Sequence, residues 1–464
     1  MISRRSFIAG GIGAGFGAGS TFRLLASPIE PFRLTAMSAK ASFGTGHLAD
    51  VWAYNQSVPG SIITVKKGDE LAVLLENRLE QPTSLHWHGI RLENAMDGVP
   101  GLTQAAVQPG EDFLYRFKVP DAGTYWYHSH FNSPEQVGRG LAGLLIVEEN
   151  DPYPVDRELH LVVDDWRLDE DGQIAGDFSA MHDISHGGRM GNYITFNGQF
   201  NPDVPVEHGE RVRVRILNAA NSRIIPLGFE NHDVTVVALD GQPVVPFSVA
   251  NGRLTLAPGQ RVDAVIDMFA DPGGRYPVNF FHRNGVATVA HLSYNTTLNI
   301  KEAPGDVPKL SANPLNKKID LDNAVVASLN MEGGAMGGMR QASYDGKNMG
   351  IRELVDQGKV WAFNGVVGLP DQPLLKARAG QTMVMEIANN NSWPHAMHLH
   401  GHHFTVVERN GEMVANHPWH DTLLINRSEK VRIAFVADNP GKWLFHCHML
   451  EHQMGGMITW LEVV

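Results

Sequence analysis

A threefold repeat constrains this chain more than any other feature. Residues 65–78, VKKGDELAVLLENR, place a glycine before an alternating apolar stretch that ends in asparagine. Residues 206–218, VEHGERVRVRILN, and residues 376–389, KARAGQTMVMEIAN, do the same. The alternation Arg211-Val212-Arg213-Val214-Arg215-Ile216 has period two, the mark of a half-buried antiparallel strand. A second shared stretch follows each copy. Gln108-Pro109-Gly110-Glu111 leads into FLYRFKV, Ala257-Pro258-Gly259-Gln260 into RVDAVIDM, and Asn426-Arg427-Ser428-Glu429 into KVRIAFVA. Three copies in 464 residues, with 48 Gly and 26 Pro for tight turns, imply an all-β chain of three β-sandwich domains. The expected boundaries are 31–152, 153–302 and 326–464, with 303–325 as a linker rich in Pro, Lys and Asn.

The termini and the charge bound the setting. A net charge of −12 argues against a nucleic-acid partner. Residues 1–30 open with Ser3-Arg4-Arg5-Ser6-Phe7-Ile8 and a Gly- and Ala-rich apolar run, which reads as a twin-arginine export signal and predicts a periplasmic protein. Six glycines interrupt that run, and no other stretch approaches the ~18 apolar residues of a membrane span. The single cysteine, Cys447, excludes an internal disulfide and needs another purpose.

Histidines supply one. His-X-His occurs at 86/88, 128/130, 398/400, 400/402 and 446/448. With 22 histidines, chance gives about one such pair. On a strand, residues i and i+2 share a face, so each pair presents two imidazoles side by side. In His446-Cys447-His448 the histidines face one way and the thiol the other, so one strand can feed two sites. A thiolate with two imidazoles and a weak axial Met is the ligand set of a blue-copper centre. Cys447 has suitable partners at His452 and Met457, with His395 as a further imidazole.

HWHG at 86–89, HSH at 128–130, HAMHLHGH at 395–402 and HCHMLEHQMGGM at 446–457 resemble the four copper signatures of the multicopper oxidases, over essentially the whole chain after residue 30. The resemblance implies three cupredoxin-like Greek-key β-sandwich domains and four copper ions. It implies a type 1 copper on His395, Cys447, His452 and axial Met457, and a type 2 copper on His86 and His398. It implies one type 3 copper on His88, His128 and His448 and the other on His130, His400 and His446. The implied reaction is one-electron oxidation of a small reductant, Cu(I) or phenols, coupled to four-electron reduction of O2 to water by a monomer. The middle domain is then expected to act chiefly as a spacer.

Other residues carry weaker expectations. Asp97, in Met96-Asp97-Gly98-Val99-Pro100, resembles the family's acid beside the cluster, a candidate proton source; a surface Asp in a Gly-Pro turn is the alternative. Gln453 stands where related bacterial enzymes carry a proton-relaying Glu, so Asp97, Glu451 or water must compensate. Asp421 stands where relatives place an acid near the type 1 copper, to take a phenol proton or bind Cu(I), or else it holds a strand start. Met331, Met336, Met339 and Met349 lie in the Gly-rich stretch 330–349; they read either as a Cu(I) site on a flexible segment or as gap-fillers against the sandwich. Met181-His182-Asp183-Ile184-Ser185-His186 with Met190 reads as an ordinary loop that happens to hold donors. Competing readings are a nitrite reductase, a non-catalytic scaffold of this fold and a Cu(I) carrier, of which the last would be colourless.

Overall fold

In the computed structural model, which describes residues 30–298, 305–315 and 318–464, the three repeats take one topological position. Each becomes a central strand: Glu70–Asn77, Arg211–Asn218 and Thr382–Asn389. Each pairs in parallel with the first long strand of its own unit, Phe32–Ser42, Arg157–Trp166 or Val325–Gly333. On its other side it pairs antiparallel with the strand after the second shared stretch, Asp112–Lys118, Arg261–Asp267 or Lys430–Val436. A half-turn sequence signal repeated three times has therefore produced the same sheet three times. The expected export signal lies outside the described residues, Glu30 apart, as do parts of the expected linker.

Each such sheet faces a second one across an apolar core. In the first unit that partner runs Gly60–Lys66, Ala142–Glu148, Gly123–His128, His86–His88. In the third it runs Leu375–Ala377, Ile458–Val463, Gly441–Cys447, His395–Leu399, Thr422–Ile425. The buried apolar side chains of these two units form one continuous cluster, with Trp87, Trp361 and Trp443 fully enclosed. The middle unit keeps a core of its own around Val214, Ile216, Leu227 and Ile266. At about 1.5–3 kcal/mol for each large apolar side chain enclosed, the first cluster is what holds the two ends of the chain together. Among the described residues no helix is long and apolar enough to cross a membrane.

The middle repeat departs from its expected half-burial. Every residue of Arg211–Asn218 is buried. Arg213 meets Asp263 of the neighbouring strand at 2.6 Å, and toward the first unit Arg213 meets Glu149 at 2.8 Å and Arg215 meets Thr124 Oγ1 at 3.1 Å. Thr124 in turn donates to Asp263 at 2.6 Å. Period two is read correctly there, but the polar face is covered by protein and satisfied by ion pairs instead of water.

Candidate metal centre

Strand pairing sets the histidines in rows. His86–His88 lies antiparallel to Gly123–His128 with His86 opposite His128. His395–Leu399 lies antiparallel to Gly441–Cys447 with His398 opposite His446. Side chains two apart share a face, so these rows turn eight imidazoles toward one another. The ring nitrogens of His88, His128 and His448 lie within 4.8 Å of one another, as do those of His130, His400 and His446, and those of His86, His88 and His398. A separate group joins His395, Cys447 and His452. Two glycines make room. A Cβ on Gly98 would sit 1.9 Å from the Leu85 carbonyl oxygen, and one on Gly259 would press on the His88 and His448 rings.

Hydrogen bonds divide most of these imidazoles in two, His448 being the exception with both ring nitrogens unpartnered. His86 Nδ1 donates to the Asp97 carbonyl (2.8 Å), His128 Nδ1 to Ser129 (3.0 Å) and His398 Nδ1 to Asp421 (2.9 Å), and in each ring Nε2 is buried without a partner. His88 reverses the pattern: its Nε2 lies 3.1 Å from the Asp421 carboxylate and 3.0 Å from Thr422 Oγ1, and its Nδ1 is unpartnered. His400 Nδ1 is held by the Asp97 carboxylate at 3.0 Å and His446 Nδ1 by the Cys447 carbonyl at 2.9 Å. Their Nε2 atoms then face each other at 3.1 Å. The second group repeats this. His395 Nε2 is held by Asn391 Oδ1 (3.0 Å) and His452 Nε2 by the His186 carbonyl (2.7 Å), so the two Nδ1 atoms face each other at 3.0 Å. Cys447 Sγ lies 3.5 Å and 3.7 Å from them.

Two lone pairs aimed at each other across about 3 Å repel unless a cation sits between them. Donating the other ring nitrogen to a carbonyl or carboxylate is how proteins fix a metal-binding tautomer. Burial, and next the neighbouring imidazoles, pushes His128, His400, His446 and His448 well below the ordinary imidazole range. Burial lowers His452 to about 4. Neutral rings are what a metal needs. Burial likewise pushes the Cys447 thiol up to about 12, so the thiolate form requires a cation beside it. The residues present therefore fit soft and borderline metal ions, with the thiolate and imidazole set that suits copper.

Comparison with known proteins points the same way. Residues 35–152, 158–297 and 345–464 match three multicopper oxidase family profiles. The multicopper oxidase MmcO of Mycobacterium tuberculosis is 30% identical, over 100% of this chain and 97% of its own. The chain belongs to the multicopper oxidase family. A crystal structure of a multi-copper oxidase from Pseudomonas thermotolerans has a TM-score of 0.81 at 32% identity, covering 94% of this chain and 99% of that one. Lac15 from a marine microbial metagenome has a TM-score of 0.75 at 35% identity, covering 94% and 100%. Membership makes this protein an oxygen-using oxidase with copper as its cofactor.

In this multicopper oxidase Asp97 lies beside the clustered histidines and not in a surface turn. Asp97 is 1% exposed and spans two rings, taking His86 on its carbonyl and His400 on its carboxylate. Asp421 corrects an expectation. It is wholly buried, so it can neither meet a substrate nor bind an incoming ion. Burial would raise its carboxyl, but the Arg261 guanidinium holds it well below the usual range through two bonds of 2.8 and 2.5 Å. Its carboxylate also bonds His88 and Thr422, at 3.1 and 2.9 Å. Arg261 comes from the middle unit, and Gln260 beside it donates to the Thr422 carbonyl at 2.9 Å. That unit is therefore more than a spacer. Nothing in its sequence marks Arg261, because a long side chain crossing between units leaves no local pattern.

Glu451 is also enclosed, held by Ser222 Oγ (2.5 Å), Asn221 Nδ2 (2.9 Å) and the Arg189 amide (3.1 Å), and burial raises its carboxyl. Gln453 instead lines a cleft of about 340 Å³ that reaches His130 and includes Lys359 and Tyr344. Of the outlying histidines, His402 and His403 are buried; His403 Nε2 lies 3.5 Å from Asp421, and His420 Nδ1 3.2 Å from Asp240. His417 bonds the Val406 carbonyl at 3.2 Å.

The methionines are a second correction. Met331 is an interior residue of strand Val325–Gly333 and is fully buried. Met339 and Met349 pack against Ala342, Leu354 and Val367, and Gln341–Tyr344 pairs with Lys347–Gly350 as a hairpin. Only Met336, 78% exposed, is free to meet a ligand. The four methionines do not make one site. Met457 is buried beside the second group, its carbonyl accepting the Cys447 amide at 3.1 Å.

Proposed function

We propose that this oxidase takes electrons singly from a small reductant, Cu(I) foremost and phenols second, and reduces O2 to water with four coppers. His395, Cys447, His452 and Met457 would hold a type 1 copper. His86 and His398 would hold a type 2 copper, and His88, His128 and His448 with His130, His400 and His446 a type 3 pair. Bound copper supplies one-electron transfer at the thiolate and multi-electron reduction at the eight-histidine cluster. The observation that carries the reading is the facing pairs of lone pairs, His400 with His446 and His395 with His452, at 3.1 and 3.0 Å.

The protein's part is to fix ring orientation and control access. Asp97 and Asp421 lock the outward nitrogens of His86, His400 and His88, so every ring presents its other nitrogen inward. Cys447 is flanked by both cluster histidines of its strand, giving a covalent route for electrons. Gln453 cannot ionise, so water in the cleft beside His130 carries protons inward and product out. His452 is fully buried, with its outer nitrogen bonded to the His186 carbonyl, so a bulky phenol cannot touch it; this favours a small ion as reductant. We further infer export through the twin-arginine segment 1–30, and domains at 31–152, 153–302 and 326–464 joined by 303–325.

The visible spectrum of copper-loaded, air-oxidised protein tests this, with copper counted per chain and O2 uptake followed on Cu(I). An intense blue colour that Cys447→Ser abolishes, with about four coppers, is expected of a thiolate-ligated centre beside a cluster. Colourless protein that binds Cu(I) without consuming O2 would make it a carrier, and protein that binds no copper a scaffold.

A further inference from the structure

The loop read from sequence as ordinary, Met181–His186, lies directly over His452. We propose that His182 and His186, with Met336 alongside, form a surface site for Cu(I) from which electrons reach His452. The site rests on the reading of His395, Cys447 and His452 as the point of electron uptake.

Four observations carry it. First, the rings of His182 and His186, one helical turn apart, lie parallel with centroids 4.2 Å apart and 12° between planes. The His182 side chain is 79% exposed. Second, His186 Nδ1 is engaged by the His182 carbonyl at 3.0 Å and by Ser185 Oγ at 2.9 Å. That bond to a carbonyl fixes the proton on Nδ1 and leaves Nε2 as a lone-pair donor, the arrangement seen in metal-binding histidines.

Third, the backbone of the same residue touches the buried site. The His186 carbonyl accepts from His452 Nε2 at 2.7 Å, so a donor bound on the His186 ring is one residue and one hydrogen bond from His452. Fourth, Met336 is held next to this helix and kept exposed. The Ala335 amide donates to the Ser185 carbonyl at 2.7 Å, and Trp393 Nε1 donates to the Ala335 carbonyl at 3.1 Å. Met336 follows with φ of +65°, a region that costs a side-chain-bearing residue energy and costs glycine none. Glycines stand at 334, 337 and 338, yet this strained and exposed position is a thioether. Strain retained at an exposed side chain points to use.

The donor set selects the ion. The nearby carboxylate, Asp183, is committed to Arg167 through bonds of 2.6 and 3.1 Å. What remains is two imidazoles and a thioether, which suit a soft monovalent ion better than Mg2+ or Ca2+. Without a carboxylate, the divalent product is held less firmly and can leave. Each Cu(I) gives up one electron and departs as Cu(II). Four such oxidations, with four protons, reduce one O2 to two waters.

Ag(I), a redox-inert stand-in for Cu(I), tests the site on the copper-loaded enzyme by equilibrium dialysis. Wild type is compared with His182→Ala/His186→Ala and with Met336→Gly; the alanine at 186 keeps the carbonyl that holds His452. The double variant is expected to lose one tight Ag(I) per chain and to raise the KM for Cu(I) at least about tenfold, with blue colour and phenol turnover unchanged. Met336→Gly should weaken Ag(I) binding by a smaller factor. Unchanged Ag(I) affinity and stoichiometry in the double variant overturns the site. So does a parallel fall in Cu(I) and phenol turnover with the colour retained, because the pair would then only hold His452 in place. Wild type that binds this Ag(I) but is never blue overturns the electron path through His452, and that failure belongs to the uptake reading, not to the ligands.

Discussion

At the scale of single residues, the chemistry lies in which ring nitrogen is tied and which is free. Asp97 ties two rings at once, so Asp97→Asn should disturb the His400 bond while sparing the blue site. O2 uptake is expected to fall about 10–100-fold with the blue absorption intact, read by an oxygen electrode and a spectrum of one sample. The buried rings also set a pH dependence in the copper-free protein. His452 is lowered to about 4 from 6.5 by burial, so the unfolded chain binds the proton first. Its contribution is full above pH 6.5 and is lost as the pH falls toward 4, on the order of 3 kcal/mol. His128, His400, His446 and His448, all pushed well below the ordinary imidazole range by burial, act in the same direction. The urea midpoint of copper-free protein should therefore drop steeply between pH 7 and 5, and copper-loaded protein should resist that drop.

At the scale of elements, one strand of the middle unit, Arg261–Asp267, braces the cluster. Arg261→Met would leave the buried Asp421 carboxylate without its cationic partner, at a cost of about 3–5 kcal/mol. Arg261→Lys should recover only part of this, since a lysine cannot make the two parallel bonds. Copper should be lost from the eight-histidine cluster before the Cys447 site, giving a protein that is blue but slow with O2; metal counts against absorbance check it. The hairpin behind Met339 and Met349 is packing, so Met339→Leu and Met349→Leu should leave the KM for Cu(I) unchanged. These elements also show what the sequence could and could not disclose. Strand alternation is a local signal, so the repeats and the His-X-His rows were legible from single stretches. Arg261 was not, because its partner lies 160 positions away. Asp421 was left open between two readings for the same reason, since the Arg261 that buries it comes from a unit the motif does not contain, and it is the strand-start reading that its bond to Thr422 matches. The His186 contact uses a backbone carbonyl, which no residue type announces. Met331 looked like part of a cluster in composition, but strand alternation turns it inward.

At the scale of the whole molecule, the eight cluster histidines come from residues 86–130 and 398–448, and the first and third units share one apolar core. Metal bound only by the folded chain adds stability by mass action, about 4 kcal/mol at a thousandfold excess over Kd. Copper removal should thus lower the melting temperature of the first and third units together, while the middle unit, with a core of its own, follows separately or not at all. Calorimetry of loaded and stripped protein would resolve one merged transition or two. The distance along the chain between the two histidine sets has a further meaning for biosynthesis. While the ribosome is still translating, a half-made polypeptide owns four of the eight rings and cannot assemble the cluster. Cluster metallation therefore waits until residue 448 has been made, and a full complement of copper certifies that the two widely separated histidine sets found each other.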